Sequence, residues 1–184
     1  MGSNERLTAA LAGHSRIALD TAPLIYFLGG YGPRDAVVEE ILVLASEGRI
    51  EVVVSVVTEA ELLVGALGPR GGDATAIDRL LDGPGIEVVP VTRSTARVAA
   101  SLRARQRLRL ADAVVAATAL TSGCTALVGN DRAFRRLDDR LAYVHLDDLV
   151  GEDDLGGDDD LGGEDDLGGE DDLVGERPGG PPRA

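Results

Sequence analysis

Cysteine, aromatic residues and long apolar runs are scarce in this chain of 184 residues, and lysine and tryptophan are absent. The only cysteine, Cys124, excludes an internal disulfide, and no Cys or Cys/His clusters have zinc-binding spacing, so we expect a reducing compartment. No apolar leader precedes a cleavage site, and no stretch reaches about 18 uninterrupted apolar residues. These absences predict a cytoplasmic protein without a membrane segment.

Negative charge is concentrated near the C-terminus. Residues 149–184 hold 13 acids and 2 arginines, which leaves 19 acids and 16 arginines in the rest of the chain. Leucine recurs there every six residues between glycines and acids, at Leu149, Leu155, Leu161, Leu167 and Leu173. That period fits neither a helix nor a heptad, and the segment cannot bury enough apolar surface to offset its ordering entropy. We therefore predict a disordered acidic tail.

The rest of the chain alternates between two kinds of apolar segment. Short apolar or β-branched runs predict strands at 16–19, 51–57, 86–91, 125–128 and near 141–146. Helical spacing predicts helices at 22–28, 35–45, 59–67, 73–82, 93–108, 111–121 and 132–137. Alternating strands and helices are typical of an α/β fold with a parallel sheet covered on both faces. We assign 1–15 to an N-terminal extension, 16–148 to one domain and 149–184 to the tail.

Four acids lie at the edges of apolar segments, where a carboxylate is costly to bury without a partner. They are Asp20, Glu61, Asp112 and Asp131. Asp20 and Asp131 follow predicted strands, and ligands of open α/β sheets bind beyond the carboxyl ends of the strands. Hard cations such as Mg²⁺ prefer carboxylate oxygens and offset the repulsion between them. The four acids therefore predict a metal site suited to phosphodiester hydrolysis.

Some of these residues also have a structural interpretation. Asp112 lies near the start of a very apolar predicted helix, where the helix dipole alone would favour a carboxylate. Thr58 would cap the helix over 59–67, with Glu61 at the capping-box position three residues later. The functional interpretation therefore depends on the four acids together.

Four segments carry a family resemblance. They read ALDTAPLIYFL (18–28), TEAELLVG (58–65), LRLADAVVAATAL (108–120) and LVGNDRAF (127–134). In this order and at about this spacing they resemble a PIN domain, and most of all the VapC-like toxin ribonucleases. The resemblance covers about residues 16–148.

The resemblance implies a three-layer α/β/α sandwich around a mainly parallel sheet, and RNA cleavage that depends on Mg²⁺ or Mn²⁺. The family's catalytic, metal-binding acids match Asp20, Glu61, Asp112 and Asp131. A toxin of this kind pairs with a cognate antitoxin, and such domains often form homodimers. Magnesium, an RNA substrate and an antitoxin partner are therefore expected.

Neighbouring positions refine this assignment. Glu59 competes with Glu61, but residues two apart on a helix point about 200° away from each other, and the Glu-Leu-Leu-x-Gly pattern favours Glu61. Thr21 matches a hydroxyl residue that would help to position a water or phosphate, or else it caps a helix. The chain departs from the family at Gly129, where threonine is common, and at Ala111, where many relatives have proline.

In the mechanism that the resemblance implies, the acids hold one or two metal ions, and Asp112 or Asp131 accepts a proton from the attacking water. Phosphate contacts require positive charge, and arginines flank two of the acids. They are Arg103, Arg105, Arg107 and Arg109 before Asp112, and Arg132, Arg135 and Arg136 after Asp131. Some of these form a solvated face in the alternative interpretation. His14 and His145 are interpreted as structural or surface residues.

Two other functions remain open. A phosphoacceptor receiver domain also places acids at strand ends, but it needs paired acids after the first strand and a late lysine, which this chain lacks. A PIN-like module that binds RNA or protein without cleaving it is the second alternative. The presence of all four acids argues against it.

The tail has two further interpretations besides disorder. Its carboxylates suit calcium, although the nine-residue repeat of calcium-binding β-rolls is not matched. A flexible polyanion would also compete with RNA for the arginines, or bind the metal of the site. In that case deletion of residues 151–184 would raise RNA affinity or activity at low salt, and the difference would shrink as salt rises.

Overall fold

One parallel sheet forms the centre of the protein. The computed structural model describes residues 2–30, 32–69, 71–137 and 140–150, and the tail from residue 151 onward lies outside the described residues. The strands are β1 (Arg16–Leu19), β2 (Glu51–Ser55), β3 (Ile86–Val89), β4 (Ala126–Gly129) and β5 (Ala142–His145). They lie in the order β3-β2-β1-β4-β5, and every neighbouring pair is parallel.

Helices connect the strands and cover both faces of the sheet. They are α1 (Ser3–Ala10), α2 (Thr21–Gly29), α3 (Pro33–Ser46), α4 (Val56–Leu67), α5 (Ala74–Leu81), α6 (Arg93–Gln106), α7 (Leu110–Thr121) and α8 (Leu146–Leu149). A 3-10 helix, Arg132–Arg136, follows β4. The predicted strands and helices are thus confirmed, while α1 and α8 were not expected. Among the described residues, no helix is long and apolar enough to cross a membrane.

Alternation along the strands divides the apolar core between the two faces. In β1, Ile17 and Leu19 belong to one buried cluster, together with residues of α1 to α5 and α8. Ala18, on the opposite face, belongs to a second cluster that includes residues of α6 and α7. Since successive strand residues point to opposite faces, this pattern requires helices on both sides. The predicted α/β/α sandwich is confirmed.

Helix α1 lies in the segment that we assigned to an N-terminal extension. Its Leu7 is 1% exposed and packs in the same cluster as β1 and α8. Arg6 donates a hydrogen bond from Nη1 to the carbonyl oxygen of Val150, 3.4 Å away. Residues before β1 therefore contribute to the core.

The boundary between β2 and α4 differs from the prediction. The strand ends at Ser55, and helix α4 already includes Val56 and Val57 in spite of their β-branched side chains. The Ser55 side chain caps α4 by accepting a hydrogen bond from the Val57 N–H at 3.3 Å. The expected cap at Thr58 is wrong, because Thr58 is buried inside the first turns of the helix.

The strand order places a topological switch between β1 and β4. From β1 the sheet extends through β2 and β3 on one side, and through β4 and β5 on the other. Chain connections leave the carboxyl ends of β1 and β4 in opposite directions, which opens a crevice at that point. The residues that follow these two strands, Asp20 and Asp131, were both predicted as site residues.

Candidate active site

Asp20 stands directly at this crevice. It occupies the N-cap position of α2, and its backbone N–H donates to the carbonyl oxygen of Val128 in β4 at 2.9 Å. Its side chain does not cap the helix. The hydrogen bond to β4 therefore fixes the Asp20 backbone at the carboxyl end of the strands.

Gly129 provides the space that this carboxylate occupies. A Cβ atom at residue 129 would lie 3.2 Å from the Asp20 Cβ and 3.3 Å from its Oδ2. The same atom would lie 3.4 Å from Cε2 of Tyr143 in β5. Asp20 and Tyr143 therefore approach one point above Gly129, and any larger residue there must displace one of them.

Glu61 reaches the crevice from α4. Its carboxylate accepts a hydrogen bond from the Thr21 hydroxyl, in the first turn of α2. The alternative interpretation of Thr21 as a helix cap is wrong, because Asp20 holds the N-cap position and the Thr21 hydroxyl is directed to Glu61. Glu61 also contributes to the raised pKa of Asp20. Of the two candidate glutamates, Glu61 is thus the one whose carboxylate lies beside Asp20.

Asp112 lies in the first turn of α7. Its Oδ2 atom is buried and has no hydrogen-bond partner among the described residues. Burial raises the pKa of Asp112, with Asp131 adding to the effect and Arg109 opposing it. A favourable helix dipole therefore does not satisfy this carboxylate. An unsatisfied buried oxygen is what a ligand-binding carboxylate would present.

Asp131 caps the 3-10 helix. Its Oδ1 accepts a hydrogen bond from the Ala133 N–H at 2.7 Å, and its side chain is exposed. One oxygen is thereby fixed by a local contact. Asp131 is the most accessible acid on the β4 side of the crevice.

The four acids share one electrostatic field. The pKa of Asp20 is raised to about 7, first because of burial and then because of the negative charges of Asp112, Glu61 and Asp131. The backbone N–H of Thr21 opposes this effect. Like charges at a buried site favour protonation unless a cation is present. All four predicted residues are therefore brought to the same edge of the sheet.

The donor set fits a hard divalent cation in its chemistry. Within the described part of the chain, no three His, Cys, Asp or Glu side chains are grouped closely enough to hold a metal ion as they stand. The four acids nevertheless offer only carboxylate oxygens, the preferred ligands of Mg²⁺ and Mn²⁺, and one Asp112 oxygen lacks any partner. A cation would offset the repulsion between these carboxylates.

Tyr143 borders the site from β5 and was not among the predicted site residues. Its hydroxyl is buried without a hydrogen-bond partner among the described residues. Burial raises the pKa of Tyr143, and the charges of Asp20 and Asp131 add to the effect. Its position depends on the pairing of β5 with β4, which places Tyr143 beside Leu127. No local sequence signal indicates this contact.

The arginines are divided between the site and other contacts. Arg109 is close enough to Asp112 to oppose its pKa shift, and Arg135 acts similarly on Tyr143. Arg103 and Arg105 lie in the last turn of α6, where the helix dipole favours positive charge. Arg135 also pairs with Asp148 at 3.5 Å. In each of the two arginine clusters, one residue therefore acts on the site: Arg109 before Asp112, and Arg135 after Asp131.

Cys124 is not a candidate nucleophile. It is a free cysteine and is buried beneath the sheet, packed with residues of α7. Burial raises the pKa of its thiol to about 11, so the thiol stays protonated at neutral pH. The chemistry of the site therefore rests on carboxylates.

Comparison with known proteins identifies the family of this chain. The sequence profile of the PIN domain family matches residues 17–140, so the chain belongs to the PIN domain family. The resemblance inferred from the four motifs is confirmed. A comparison with curated proteins finds no match.

Solved structures of toxin–antitoxin systems have a similar fold. VapBC2 from Rickettsia felis, bound to a promoter DNA fragment, has a TM-score of 0.55 and 17% identity, over 71% of this chain and 98% of that one. A toxin–antitoxin complex from Klebsiella pneumoniae has a TM-score of 0.56 and 20% identity, over 71% and 97%. DNA-bound VapBC from Salmonella typhimurium has a TM-score of 0.56 and 19% identity, over 71% and 98%. At these identities the similarity establishes the fold.

Proposed function

We propose that the protein is a metal-dependent endoribonuclease in which Asp20, Glu61, Asp112 and Asp131 hold Mg²⁺ or Mn²⁺. The observation that carries this proposal is the meeting of the acids at one crevice, where Oδ2 of Asp112 is buried without a partner among the described residues and where burial and the other three acids raise the pKa of Asp20 to about 7. Four carboxylates around one crevice destabilise the metal-free chain, and such an arrangement is useful only if a cation compensates it. Membership of the PIN domain family agrees with nuclease activity.

Each residue has a distinct part in this mechanism. A bound divalent ion would lower the pKa of water and stabilise charge on a phosphoryl group. Asp112 is the better proton acceptor for the attacking water, because its Oδ2 has no other partner whereas Oδ1 of Asp131 is held by Ala133. Thr21 fixes the orientation of Glu61 through its hydroxyl. Arg109 and Arg135 supply positive charge for the RNA backbone.

RNA cleavage by the wild type and by Asp20→Asn and Asp112→Asn variants tests this assignment. In the presence of Mg²⁺ or Mn²⁺, we expect each variant to lose about 100-fold or more in kcat/KM, since each substitution removes a charged ligand. Glu47→Gln is the matched control, because Glu47 is an exposed acid whose closest ion pair, with Arg49, lies on the surface. Undiminished cleavage by both aspartate variants would refute the site.

We further propose that the protein is the toxin of a type II toxin–antitoxin pair. An apolar groove of about 330 Å³ lies between α2, α4 and α5, and Glu61 is part of its wall. Ile25, at the groove, and Val64 and Leu67, on α4, are 46%, 72% and 76% exposed. Exposed apolar surface of this kind marks a protein interface. An antitoxin segment with apolar side chains would fill the groove and cover Glu61.

The same surface would be buried in a homodimer. Light scattering of the isolated protein and of a Leu67→Glu variant distinguishes the two partners. A monomer in both cases supports the antitoxin as the occupant, while a wild-type dimer that the variant abolishes would assign the groove to a second copy.

A catalytically inactive PIN-like binding module is the second candidate function. The observation in its favour is that the acids, as they stand, do not form a closed metal group. Such a module would bind RNA in Mg²⁺ or Mn²⁺ and leave it intact. The cleavage assay of the wild type therefore decides between the two functions.

A further inference from the structure

A second polar site lies on the far side of Tyr143 from the acids. A pocket of about 260 Å³ opens beside the edge strand β5, next to the 3-10 helix and α8. We call it the β5 pocket. The residues that matter to its chemistry are Arg135, Tyr143, His145 and Asp148.

His145 gives the pocket a buried hydrogen-bond donor. The side chain is 3% exposed, and Nδ1 accepts a hydrogen bond from the Asp147 N–H at 3.3 Å. The hydrogen of the neutral imidazole is therefore assigned to Nε2, and the protonated ring also carries one there. Nε2 is buried and has no partner among the described residues. A buried donor without a partner costs about 1–3 kcal/mol, and a ligand acceptor would remove that cost.

Tyr143 provides a second unpartnered group and connects the pocket to the acids. Its ring centroid lies 6.0 Å from that of His145, in an edge-on arrangement, and 5.6 Å from that of Phe134. Its hydroxyl is buried without a partner in the described part of the chain. The Cε2 atom of the ring lies near Gly129, on the side where the Asp20 side chain also lies. Tyr143 is thus a wall shared by the acidic site and the β5 pocket.

Charge at the pocket rim is adjustable. Arg135 is 54% exposed and pairs with Asp148, which is 66% exposed, at 3.5 Å. An exposed ion pair contributes little to stability, so the guanidinium can exchange Asp148 for another anion at small cost. The pocket then offers two neutral donors and one cation, a combination that matches the oxygens of a phosphate group.

We propose that the β5 pocket binds a phosphate group of the RNA strand adjacent to the bond that the acids cleave. The Tyr143 hydroxyl and the His145 Nε2–H donate to the phosphate oxygens, and Arg135 neutralises its charge. The RNA backbone then passes Tyr143, the residue that borders both the acidic site and the β5 pocket. The identification of this phosphate as part of an RNA strand rests on the proposed ribonuclease function.

Phosphate binding is tested first without metal and without RNA cleavage. The chain has two histidines, so ¹H–¹⁵N spectra of their imidazoles resolve His145 from His14, whose Nδ1 is hydrogen-bonded to Thr125 Oγ1 at 2.8 Å. Titration with inorganic phosphate should shift the His145 signals saturably and leave those of His14 unchanged. Tyr143→Phe should weaken this binding about tenfold, as expected for a lost hydrogen bond to a charged group. An unmoved His145, or equal shifts of both histidines, would overturn the phosphate site.

An RNA oligonucleotide that the wild type cleaves at one mapped bond tests whether the phosphate in the β5 pocket belongs to the RNA substrate. A neutral methylphosphonate at the flanking phosphate should lower kcat/KM about tenfold in the wild type and have little further effect in Tyr143→Phe or His145→Asn. Asparagine at residue 145 keeps an oxygen for the Asp147 N–H, and its shorter side chain places no donor at the position of Nε2. Additive losses from the RNA and protein changes would refute the contact.

Thermal stability separates a binding role from a structural one. Replacing an unpartnered buried hydroxyl by hydrogen should leave the Tm of Tyr143→Phe equal to or above that of the wild type while kcat/KM falls. A lower Tm with unchanged cleavage would show that Tyr143 is structural. RNA left intact by the wild type, with His145 still shifted by phosphate, would refute the proposed function and the RNA assignment while the phosphate site stands.

Discussion

The parallel sheet has different charge arrangements at the edge where its strands begin, the amino edge, and at the edge where they end, the carboxyl edge. At the amino edge, Arg16 opens β1 and donates hydrogen bonds to Glu51 of β2 and Glu87 of β3. Its Nε also donates to the carbonyl oxygen of Ser122 at 2.8 Å. One guanidinium therefore pairs with two carboxylates and satisfies a backbone carbonyl group in the same place.

At the carboxyl edge, four acids collect, and Arg109 only partly opposes the rise in the pKa of Asp112. Burial and the charges of the neighbouring acids raise the pKa values of Asp20 and Asp112, and one Asp112 oxygen is buried without a partner among the described residues. The difference teaches that the amino edge contributes to folding stability, whereas the carboxyl edge carries an electrostatic cost that a ligand removes. Such costs are typical of functional sites.

The largest effect on stability is expected at the amino edge, at Gly85 before β3. Gly85 has a φ of +77°, and an added Cβ would lie 2.2 Å from the carbonyl oxygen of Ala45. We predict that Gly85→Ala destabilises the fold by about 2–4 kcal/mol, since strain and overpacking combine. Chemical denaturation measures this change.

Gly48 is the matched control for that prediction. It has a φ of +69° but nothing lies within 4 Å of its added Cβ. Gly48→Ala should therefore cost only about 1 kcal/mol, the penalty of a left-handed backbone. Equal losses for the two variants would show that the close approach of Gly85 to Ala45 is unimportant.

The two glutamates of α4 allow a comparison between a residue inside the acidic site, Glu61, and a residue outside it, Glu59. The charge of Glu61 acts on both Asp20 and Asp112, so we expect Glu61→Gln to lower RNA cleavage about tenfold. Glu59→Gln should stay within about twofold of the wild type, as expected for a helix position turned away from the site. The comparison is made by kcat/KM at saturating Mg²⁺. The reverse order would assign the site to Glu59.

Loss of the arginine at the amino edge should affect stability and leave cleavage unchanged. Arg16→Met removes both ion pairs but keeps an apolar stem of similar length. Because its partners are exposed, with side chains 65% and 58% accessible, we predict a loss of about 1 kcal/mol, or roughly 2–4 °C in Tm. The loss should shrink at high salt. A fall in cleavage as large as that of Asp20→Asn would contradict the separation of the two edges.

The pH dependence of stability gives the smallest expected effect. The pKa of Asp20 rises from 3.8 to about 7 on folding, so the folded metal-free chain binds more protons than the unfolded chain between those values. Stability therefore falls as pH rises through this window. We predict that Asp20→Asn, which does not titrate, is more stable than the wild type at pH 8 by about 1 kcal/mol, or roughly 2–4 °C in Tm.

The control for this prediction is the same pair of proteins at low pH. The advantage of Asp20→Asn should vanish near pH 4, where the wild-type carboxyl is protonated in the folded state. Saturating Mg²⁺ should reverse the order at pH 8, because the cation stabilises only the wild-type site. A constant difference at all pH values would mean that the Asp20 charge is not the cause.

The sequence was informative where function and local structure use the same residues. Asp20 directly follows β1 and Asp131 follows β4 after one intervening residue, so their convergence at one edge followed from the rules of parallel sheets. The apolar stripe of α7 likewise marked Asp112 as unusual. The strand and helix pattern sufficed to predict an α/β/α sandwich.

Contacts between distant segments explain what the sequence did not reveal. The cap of α4 is Ser55, because the strand ends two residues earlier than its β-branched composition indicates. Helix α1 packs against α3 and α8, which no local pattern encodes. Tyr143 and His145 join the site only through the pairing of β5 with β4. Secondary-structure propensity describes one segment at a time, whereas these features depend on contacts between two segments.

Paramagnetic broadening by Mn²⁺ tests the contrast between the two edges most directly, because backbone amide signals report the position of the ion. At the lowest Mn²⁺ concentrations, the amide signals of Thr21 and Gly129 at the carboxyl edge should broaden while those of Glu51 and Glu87 at the amino edge stay sharp. Asp20→Asn should abolish this preference. Broadening that is equal at the two edges, or unchanged in Asp20→Asn, would contradict a metal site built by the four acids.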